Sequence, residues 1–213
     1  GAVSVIDNLS DADTALIELS KNVAGLDVCK SGIFVSTDGY PNRVGHYDSE
    51  GRLIAAWAHT DKKGCWSSNL AVVGEKIVLV DKAGHSIRIY SMDGKVIKII
   101  GCPEVTGRWV SICKVNEESI LLSVHVTSRV IRINIASWEV VWRSDNIEKA
   151  QGVVCYKDKY VLVAREGTGT VISLLDINSG EHDMTFKGGY SENGFKMQND
   201  HNLCQSNSKG LRT

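Results

Sequence analysis

Two hairpins that recur in a fixed order constrain the fold of this 213-residue chain more than any other feature. The first joins two short apolar strands through a polar turn, at residues 25–37, 69–81, 110–124 and 152–164. The second follows each time, at residues 43–57, 86–100, 129–143 and 170–186. Runs rich in Ile, Val and Leu between turn signals predict β-strands. The sequence therefore predicts four copies of a four-stranded unit.

The repeat length indicates how these units assemble. Successive units begin roughly 40 residues apart, which is typical of the blades of a β-propeller, where each twisted sheet buries its faces against its neighbours. After residue 20, no stretch sustains the apolar spacing of an amphipathic helix. We therefore predict an all-β fold, a β-propeller whose blades span about residues 22–57, 58–101, 102–143 and 144–187.

The two ends of the chain complete the predicted ring. Residues 4–20 resemble the second hairpin of a blade, and residues 201–213 resemble a first strand entering its partner. A composite blade from residues 1–21 and 188–213 would close the ring noncovalently and remove its exposed sheet edges. We expect one domain over residues 1–213 with five blades. A six-bladed ring, with further strands elsewhere in a longer chain, is the alternative.

Composition limits the classes of partner. Lys and Arg total 24 against 25 Asp and Glu, so the overall charge does not predict a polyanion as ligand. No apolar run reaches the roughly 20 residues that span a bilayer. Four of the six cysteines close a first strand, where Cys packs as a small hydrophobic residue: Cys29, Cys113, Cys155 and Cys204. We expect reduced thiols and a soluble, cytoplasmic protein.

A motif in the first unit resembles a known repeat. Residues 33–54, IFVSTDGYPNRVGHYDSEGRLI, place Asp38 and the Asn42-Arg43 pair after one apolar strand and an Asp-x-x-Gly turn, Asp48 to Gly51, after the next. This pattern resembles the NHL repeat, and later units keep parts of it: Asp81, Arg88, Asp93 and Gly94 in the second, Arg129 in the third, Asp176 and Gly180 in the fourth.

The resemblance covers about residues 22–187 and makes the chain similar to the propeller domains of tripartite-motif ubiquitin ligases. Such domains recognise proteins or RNA, so the resemblance implies the substrate-recognition part of a larger protein. The sequence has no RING-type array of cysteines and histidines, so the resemblance does not extend to ligase chemistry.

One rim of the predicted propeller carries the candidate binding residues. The loop before the first strand and the loop between the second and third strands emerge on this rim, with the predicted ligand-binding residues Trp66, Trp109, Arg108, Arg43, Arg129, His201 and Gln151. Exposed aromatic residues beside arginines anchor interfaces. The alternatives are burial of both tryptophans between blades and pairing of the arginines with the acidic residues of the next loop. We predict a noncatalytic module that binds a protein or peptide, with no cofactor and no metal.

Two other functions compete with this prediction. A single-stranded RNA-binding propeller would hold phosphates with Arg and Lys, but a near-neutral chain needs strong charge segregation for that purpose. A metal-dependent hydrolase or lyase could use the acidic and histidine side chains that fall near one point of each unit: Asp38, Asp81, His125 and Glu166. Their alignment drifts by one residue, which turns a strand side chain to the opposite face. We therefore expect protein or peptide before RNA, and no enzymatic activity.

Overall fold

The structure is a computed structural model that describes residues 23–37, 42–60, 69–82, 84–105, 110–166 and 170–188, together with the backbone of short strands nearer both ends. Every regular secondary-structure element among the described residues is a β-strand. Nowhere in this part of the chain is there a helix of the length and apolarity that crossing a membrane requires.

The strands form hairpins and sheets in chain order. The first hairpin pairs β1 (Ala2–Ile6) with β2 (Thr14–Glu18). Four antiparallel four-stranded sheets follow, which we number blades 1 to 4. Blade 1 contains β3 (Val23–Cys29), β4 (Gly32–Thr37), β5 (Asn42–Tyr47) and β6 (Leu53–Thr60). Blade 2 contains β7 (Leu70–Val73), β8 (Lys76–Asp81), β9 (Ser86–Ser91) and β10 (Val96–Gly101).

The next two blades have the same strand order. Blade 3 contains β11 (Val110–Asn116), β12 (Ser119–Val124), β13 (Arg129–Asn134) and β14 (Val140–Arg143). Blade 4 contains β15 (Ala150–Tyr156), β16 (Tyr160–Arg165), β17 (Thr170–Asp176) and β18 (His182–Gly188). Two short hairpins follow, formed by β19 (Tyr190–Ser191), β20 (Gly194–Phe195), β21 (Ser206–Asn207) and β22 (Gly210–Leu211).

The observed sheets confirm the predicted four-stranded unit, because both hairpins of every repeat join into one antiparallel sheet. Strands β1 and β2 form a two-stranded antiparallel hairpin within the segment predicted to be the second hairpin of a blade. The composite blade and the count of five stay predictions, because they depend on residues that lie largely outside the described ranges.

Three apolar clusters hold neighbouring blades together, each between two sheets. Phe34 and Val44 of blade 1 pack on Ile77, Leu79 and Tyr90 of blade 2. The other face of blade 2 packs on blade 3 through a cluster that includes Val78, Val80, Ile120, Leu122 and Ile131. The other face of blade 3 packs on blade 4 through Leu121, Trp142, Val161, Val163 and Leu175. Because each sheet is apolar on both faces, no blade could bury its core alone.

The first strand of each blade lies innermost. Strand β3 contacts β7, β7 contacts β11, and β11 contacts β15, so these strands form one continuous inner wall. Outer strands are exposed: in β10, Val96, Ile97 and Ile99 each expose about half of their surface. The short connections after the first and third strands lie at the end of the wall opposite the predicted rim, because successive strands of each blade are antiparallel.

The turn before each outer strand contains a residue with positive φ: Gly51, Gly94, Trp138 and Gly180. At 66°, the φ of Trp138 lies in a region that glycine occupies readily and a tryptophan rarely does. Polar side chains hold these turns; Asp48 Oδ1, for example, accepts a hydrogen bond from Arg52 N at 2.8 Å. Turn geometry alone thus explains the Asp-x-x-Gly part of the NHL-like motif, Asp48 to Gly51.

The same turns also meet the preceding blade. Trp57 of blade 1 lies against Gly94 of blade 2, and Trp142 of blade 3 lies against Gly180 of blade 4. Between blades 2 and 3 the arrangement differs, since Lys98 Nζ lies 5.6 Å from the centre of the Trp138 ring. Two of these three seams therefore have a tryptophan on a glycine, and the third has a lysine over a tryptophan.

Candidate functional site

The predicted rim residues are only partly within the described chain. Trp66, Arg108, Trp109 and His201 lie outside the described residues. Arg43 and Arg129 are exposed, on blades 1 and 3, so that blade 2 lies between them. Gln151 is half-buried at the inner wall, where its carbonyl accepts a hydrogen bond from Ser123 Oγ at 3.1 Å. Gln151 therefore joins blade 4 to blade 3 through its backbone.

Several charged side chains among the described residues of this rim form ion pairs. Arg88 holds Asp81 through two nitrogens, with Nε and Nη2 each 2.7 Å from Oδ2, so this arginine pairs with an acidic residue that precedes it in its own blade and not with one of the next loop. Two further ion pairs join loops of blades 2 to 4, Arg143 with Glu104 and Arg165 with Glu148, and a hydrogen bond joins His125 Nε2 to Glu166. Across the described ranges, Arg43 and Arg129 have no ion-pair partner.

A buried histidine lies beside the Asp81–Arg88 pair. His59 is 3% exposed, and its carbonyl accepts hydrogen bonds from Arg88 Nη1 at 3.0 Å and from the Tyr90 hydroxyl at 3.5 Å. Its two ring nitrogens have no hydrogen-bond partner among the described residues. Burial lowers the pKa of His59 to about 4, so the imidazole is neutral at pH 7. This cluster links blades 1 and 2 at the rim.

The structure does not assemble the metal ring that the sequence offered as an alternative. Asp81 is bound to Arg88, and His125 Nε2 lies 2.9 Å from Glu166 Oε2, while Asp38 is outside the described residues. Within the described ranges, no three His, Cys, Asp or Glu side chains are grouped as metal ligands.

A cavity that the sequence analysis missed lies at the end of the inner wall opposite the rim. Its volume is about 770 Å³, and β3, β7, β11 and the turns after them supply most of its walls. The apolar lining residues are Leu26, Val28, Leu70, Ala71, Val72, Met92, Ile112 and Val153. Leu26 and Val28 are 42% and 61% exposed, so the innermost strand of blade 1 presents apolar surface to this space.

Charged side chains of both signs also line the cavity: Asp27, Lys30, Glu75, Lys114 and Glu117. Lys114 pairs with Glu117, and this bond lowers the pKa of the Glu117 carboxyl. Asp27 serves the fold, because its Oδ2 accepts a hydrogen bond from Val72 N at 2.6 Å and so ties blade 1 to blade 2. The cavity therefore combines an apolar wall with charges that stand at the turns.

Two cysteines meet at the cavity wall. Cys113 of β11 lines the cavity, and its sulfur lies 3.8 Å from that of Cys155 on β15. Both are half-buried, as is Cys29, so these residues, predicted to pack as small hydrophobic residues, keep part of their surface exposed. The recurrence of Cys-Lys in the second half of an inner strand or at its end, at 29–30 and 113–114, was the signal in the sequence that could have indicated this surface.

Comparisons with known proteins identify the fold of the chain but no family. No protein-family model matches the chain, and no curated protein has significant sequence similarity to it. Myxococcus xanthus glutaminyl cyclase is 13% identical with a TM-score of 0.55, over 76% of this chain and 68% of that one. The Neurospora crassa Pan2 WD40 domain is 11% identical with a TM-score of 0.64, over 79% and 51%. Kuenenia stuttgartiensis hydrazine synthase is 13% identical with a TM-score of 0.63, over 84% and 52%. The match thus spans about half the length of the last two proteins.

These similarities correct one prediction and confirm another. The prediction that the chain is not an enzyme is contradicted, because glutaminyl cyclase shows the same architecture in an enzyme. The neighbours include both an enzyme and a WD40 domain, and the NHL type of the repeat is not confirmed by them. The prediction of an all-β fold with four-stranded blades is confirmed, and the chain has the fold of a β-propeller.

Proposed function

We propose that this β-propeller binds a peptide, or an extended segment of a protein, in the cavity at the end of its inner wall. The carrying observation is the exposure of Leu26 and Val28 inside a space of about 770 Å³. Ligand sites of this size combine an apolar lining with a few polar groups that orient the ligand. An apolar ligand side chain would cover Leu26 and Val28 and thereby remove their surface from water.

The charges at the turns favour a peptide over a polyanion. Lys30 and Lys114 could hold carboxylates, while Glu75 and Glu117 could hold amines or backbone N–H groups. A phosphate backbone would meet the two glutamates as repulsive charges, which disfavours RNA at this cavity. Should the NHL-type interpretation of residues 33–54 also hold, the domain would be the recognition part of a larger protein.

Selection from a library of random peptides displayed on phage, with the purified protein as bait, tests this proposal. Enriched peptides should bind with micromolar or better affinity, and Leu26→Glu and Ile112→Glu should weaken binding at least tenfold, since each places a charge on the apolar wall. Arg43→Ala and Arg129→Ala are matched controls on the rim and should bind like the parent. Circular dichroism and melting curves identify variants that do not fold.

Three results would contradict the proposal: a selection that enriches no peptide, peptides lost on the rim substitutions and kept on the cavity substitutions, or poly(U) RNA that binds more tightly than any peptide and weakens steeply with salt. Mass spectrometry of the bound peptide after incubation distinguishes simple binding from catalysis, because a chemical change to the peptide would identify an enzyme that acts on it.

A further inference from the structure

The contact between Cys113 and Cys155 joins blades 3 and 4, which are also held by apolar packing and by hydrogen bonds such as that of Trp142 with Ile177. The two residues are 42 positions apart in the chain and belong to separate sheets. Both sulfurs also face one carbonyl, that of Lys114, at 3.2 Å from Cys113 and 3.4 Å from Cys155. This shared acceptor orients the two thiols toward the same point.

The geometry allows a bond between the two sulfurs. A disulfide needs an S–S distance of about 2.05 Å, so the sulfurs have to approach each other by roughly 1.8 Å. Rotation about the two χ1 angles moves each sulfur on this scale. Cys113 lies on the inner strand β11 and Cys155 on the inner strand β15, so the disulfide would join these two strands directly.

Reactivity is unequal between the two thiols. An ionised Cys113 accepts a hydrogen bond from the Cys155 thiol, and this bond, against the opposing effects of burial and of Asp27, lowers the pKa of Cys113 to about 7. The same interaction, together with burial, raises the pKa of Cys155; Arg132 acts against this rise and Asp158 adds to it. Thiolates are the nucleophiles in cysteine oxidation, and Cys113 lines the open cavity.

We propose that Cys113 and Cys155 are a peroxide-sensitive dithiol that oxidises to a disulfide between blades 3 and 4. The Cys113 thiolate attacks one oxygen of hydrogen peroxide, the O–O bond breaks, and Cys113 becomes a sulfenic acid while hydroxide leaves and takes up a proton to become water. The sulfur of Cys155 then attacks the sulfenic sulfur, and the S–O bond breaks. The departing hydroxide takes the thiol proton, so the sum is two thiols and one peroxide to one disulfide and two waters.

The other described cysteines differ in position. Cys102 is buried, and burial together with Glu104 raises its pKa to about 11. Cys29 lies 3.0 Å from Ser31 Oγ, on blade 1. These two residues therefore provide internal comparisons in the same protein. The proposal concerns the two sulfurs alone and does not depend on what the cavity binds.

The test is treatment of the reduced, purified protein with one equivalent of hydrogen peroxide at pH 7, followed by intact mass and nonreducing peptide mapping. We expect the mass to fall by two hydrogen atoms and the peptides with Cys113 and Cys155 to be linked. The melting temperature should rise by several degrees, because a cross-link over a long loop restricts the unfolded chain. Cys29→Ser/Cys102→Ser, the matched control, should oxidise in the same way.

Two single variants separate the steps. Cys155→Ser should accumulate a sulfenic acid at Cys113 that dimedone traps, while the parent should show little. Cys155→Ala should slow iodoacetamide alkylation of Cys113 at pH 7 by about tenfold, because the hydrogen bond that favours the thiolate is gone. The proposal is overturned if Cys113 links to another cysteine, if it reaches sulfinic acid in the parent without a link, or if dimedone labels parent and Cys155→Ser equally. Peptide mapping of the parent decides even where a variant does not fold.

Discussion

The indole of Trp142 covers Gly180 of the next blade so closely that a Cβ on the glycine would lie 2.4 Å from the ring. Trp142 Nε1 also donates a hydrogen bond to the carbonyl of Ile177 at 2.9 Å. The tryptophan is therefore fixed at both its ring face and its polar atom. Gly180 has a φ of 74°, so both its backbone and its surroundings require the absence of a side chain.

Gly180→Ala should lower the free energy of unfolding by roughly 2–4 kcal/mol, since it adds a steric overlap to an unfavourable φ. Urea titration followed by tryptophan fluorescence measures the change. Gly74→Ala is the matched control, because Gly74 also has a positive φ, 59°, but its Cβ would come no closer than 3.5 Å to Glu117. The control should lose only about 1 kcal/mol. Equal losses of unfolding free energy in the two variants would mean that the steric overlap with Trp142 does not destabilise Gly180→Ala.

Asp27 should stabilise the seam between blades 1 and 2. In Asp27→Ala, Val72 N loses its acceptor, and we expect a loss of about 1–3 kcal/mol. Asp27→Asn keeps an oxygen at this position and should recover much of the stability. Hydrogen exchange of the Val72 amide gives a local measurement, and faster exchange is expected in the alanine variant. Unchanged exchange would contradict the role assigned to this bond.

The buried ion pair at the rim should matter more than an exposed one. Asp81 is 2% exposed, and Asp81→Asn leaves the Arg88 guanidinium without its counter-ion, at a cost of about 3 kcal/mol or more. The comparison is Lys95→Met, which removes the exposed pair with Asp93 and should leave the melting temperature close to that of the parent. Similar melting temperatures for both variants would show that the Asp81–Arg88 pair stabilises the fold no more than the exposed pair does.

Stability should fall in mild acid because of His59. Its pKa is about 4 in the folded protein and about 6.5 in the unfolded chain. Between these pH values the unfolded chain binds the proton more readily than the folded protein does. The contribution of the neutral His59 to the free energy of unfolding is therefore complete above pH 6.5 and decreases as the pH drops toward 4. The loss approaches ~3 kcal/mol. Denaturant titrations at several pH values measure it.

His59→Asn should flatten this dependence between pH 6.5 and 4, whereas the exposed His182→Asn should keep it. A parent protein whose unfolding free energy is constant over this range would exclude a neutral, buried His59.

The sequence predicted the strands well because their pattern is local. Each apolar run ends at a turn with its own signal, such as Asp48 to Gly51, so hairpins can be identified without knowledge of the ring. Seams between blades could not be predicted in this way, because contacts such as that of Trp142 with Ile177 join residues 35 positions apart. Trp138 shows the limit within a turn: it takes the positive φ of a glycine, and no propensity favours it there.

The candidate site was harder to predict than the fold. The predicted rim follows from loop order, and the structure places Arg43, Arg129 and Gln151 among the described residues without making them one group. The cavity depends instead on how far apart β3, β7 and β11 stand at one end, which is set by the packing of whole blades on one another. The inner-strand cysteines were read as core for the same reason, since their neighbours belong to other blades.

The seam contacts, Trp57 on Gly94, Lys98 on Trp138 and Trp142 on Gly180, make blades 2 and 3 non-interchangeable. Exchanging these two blades would bring the bulky Trp138 turn under Trp57, where there is room only for a glycine. The chain thus specifies the order of these sheets, and a variant in which blades 2 and 3 are exchanged should not fold.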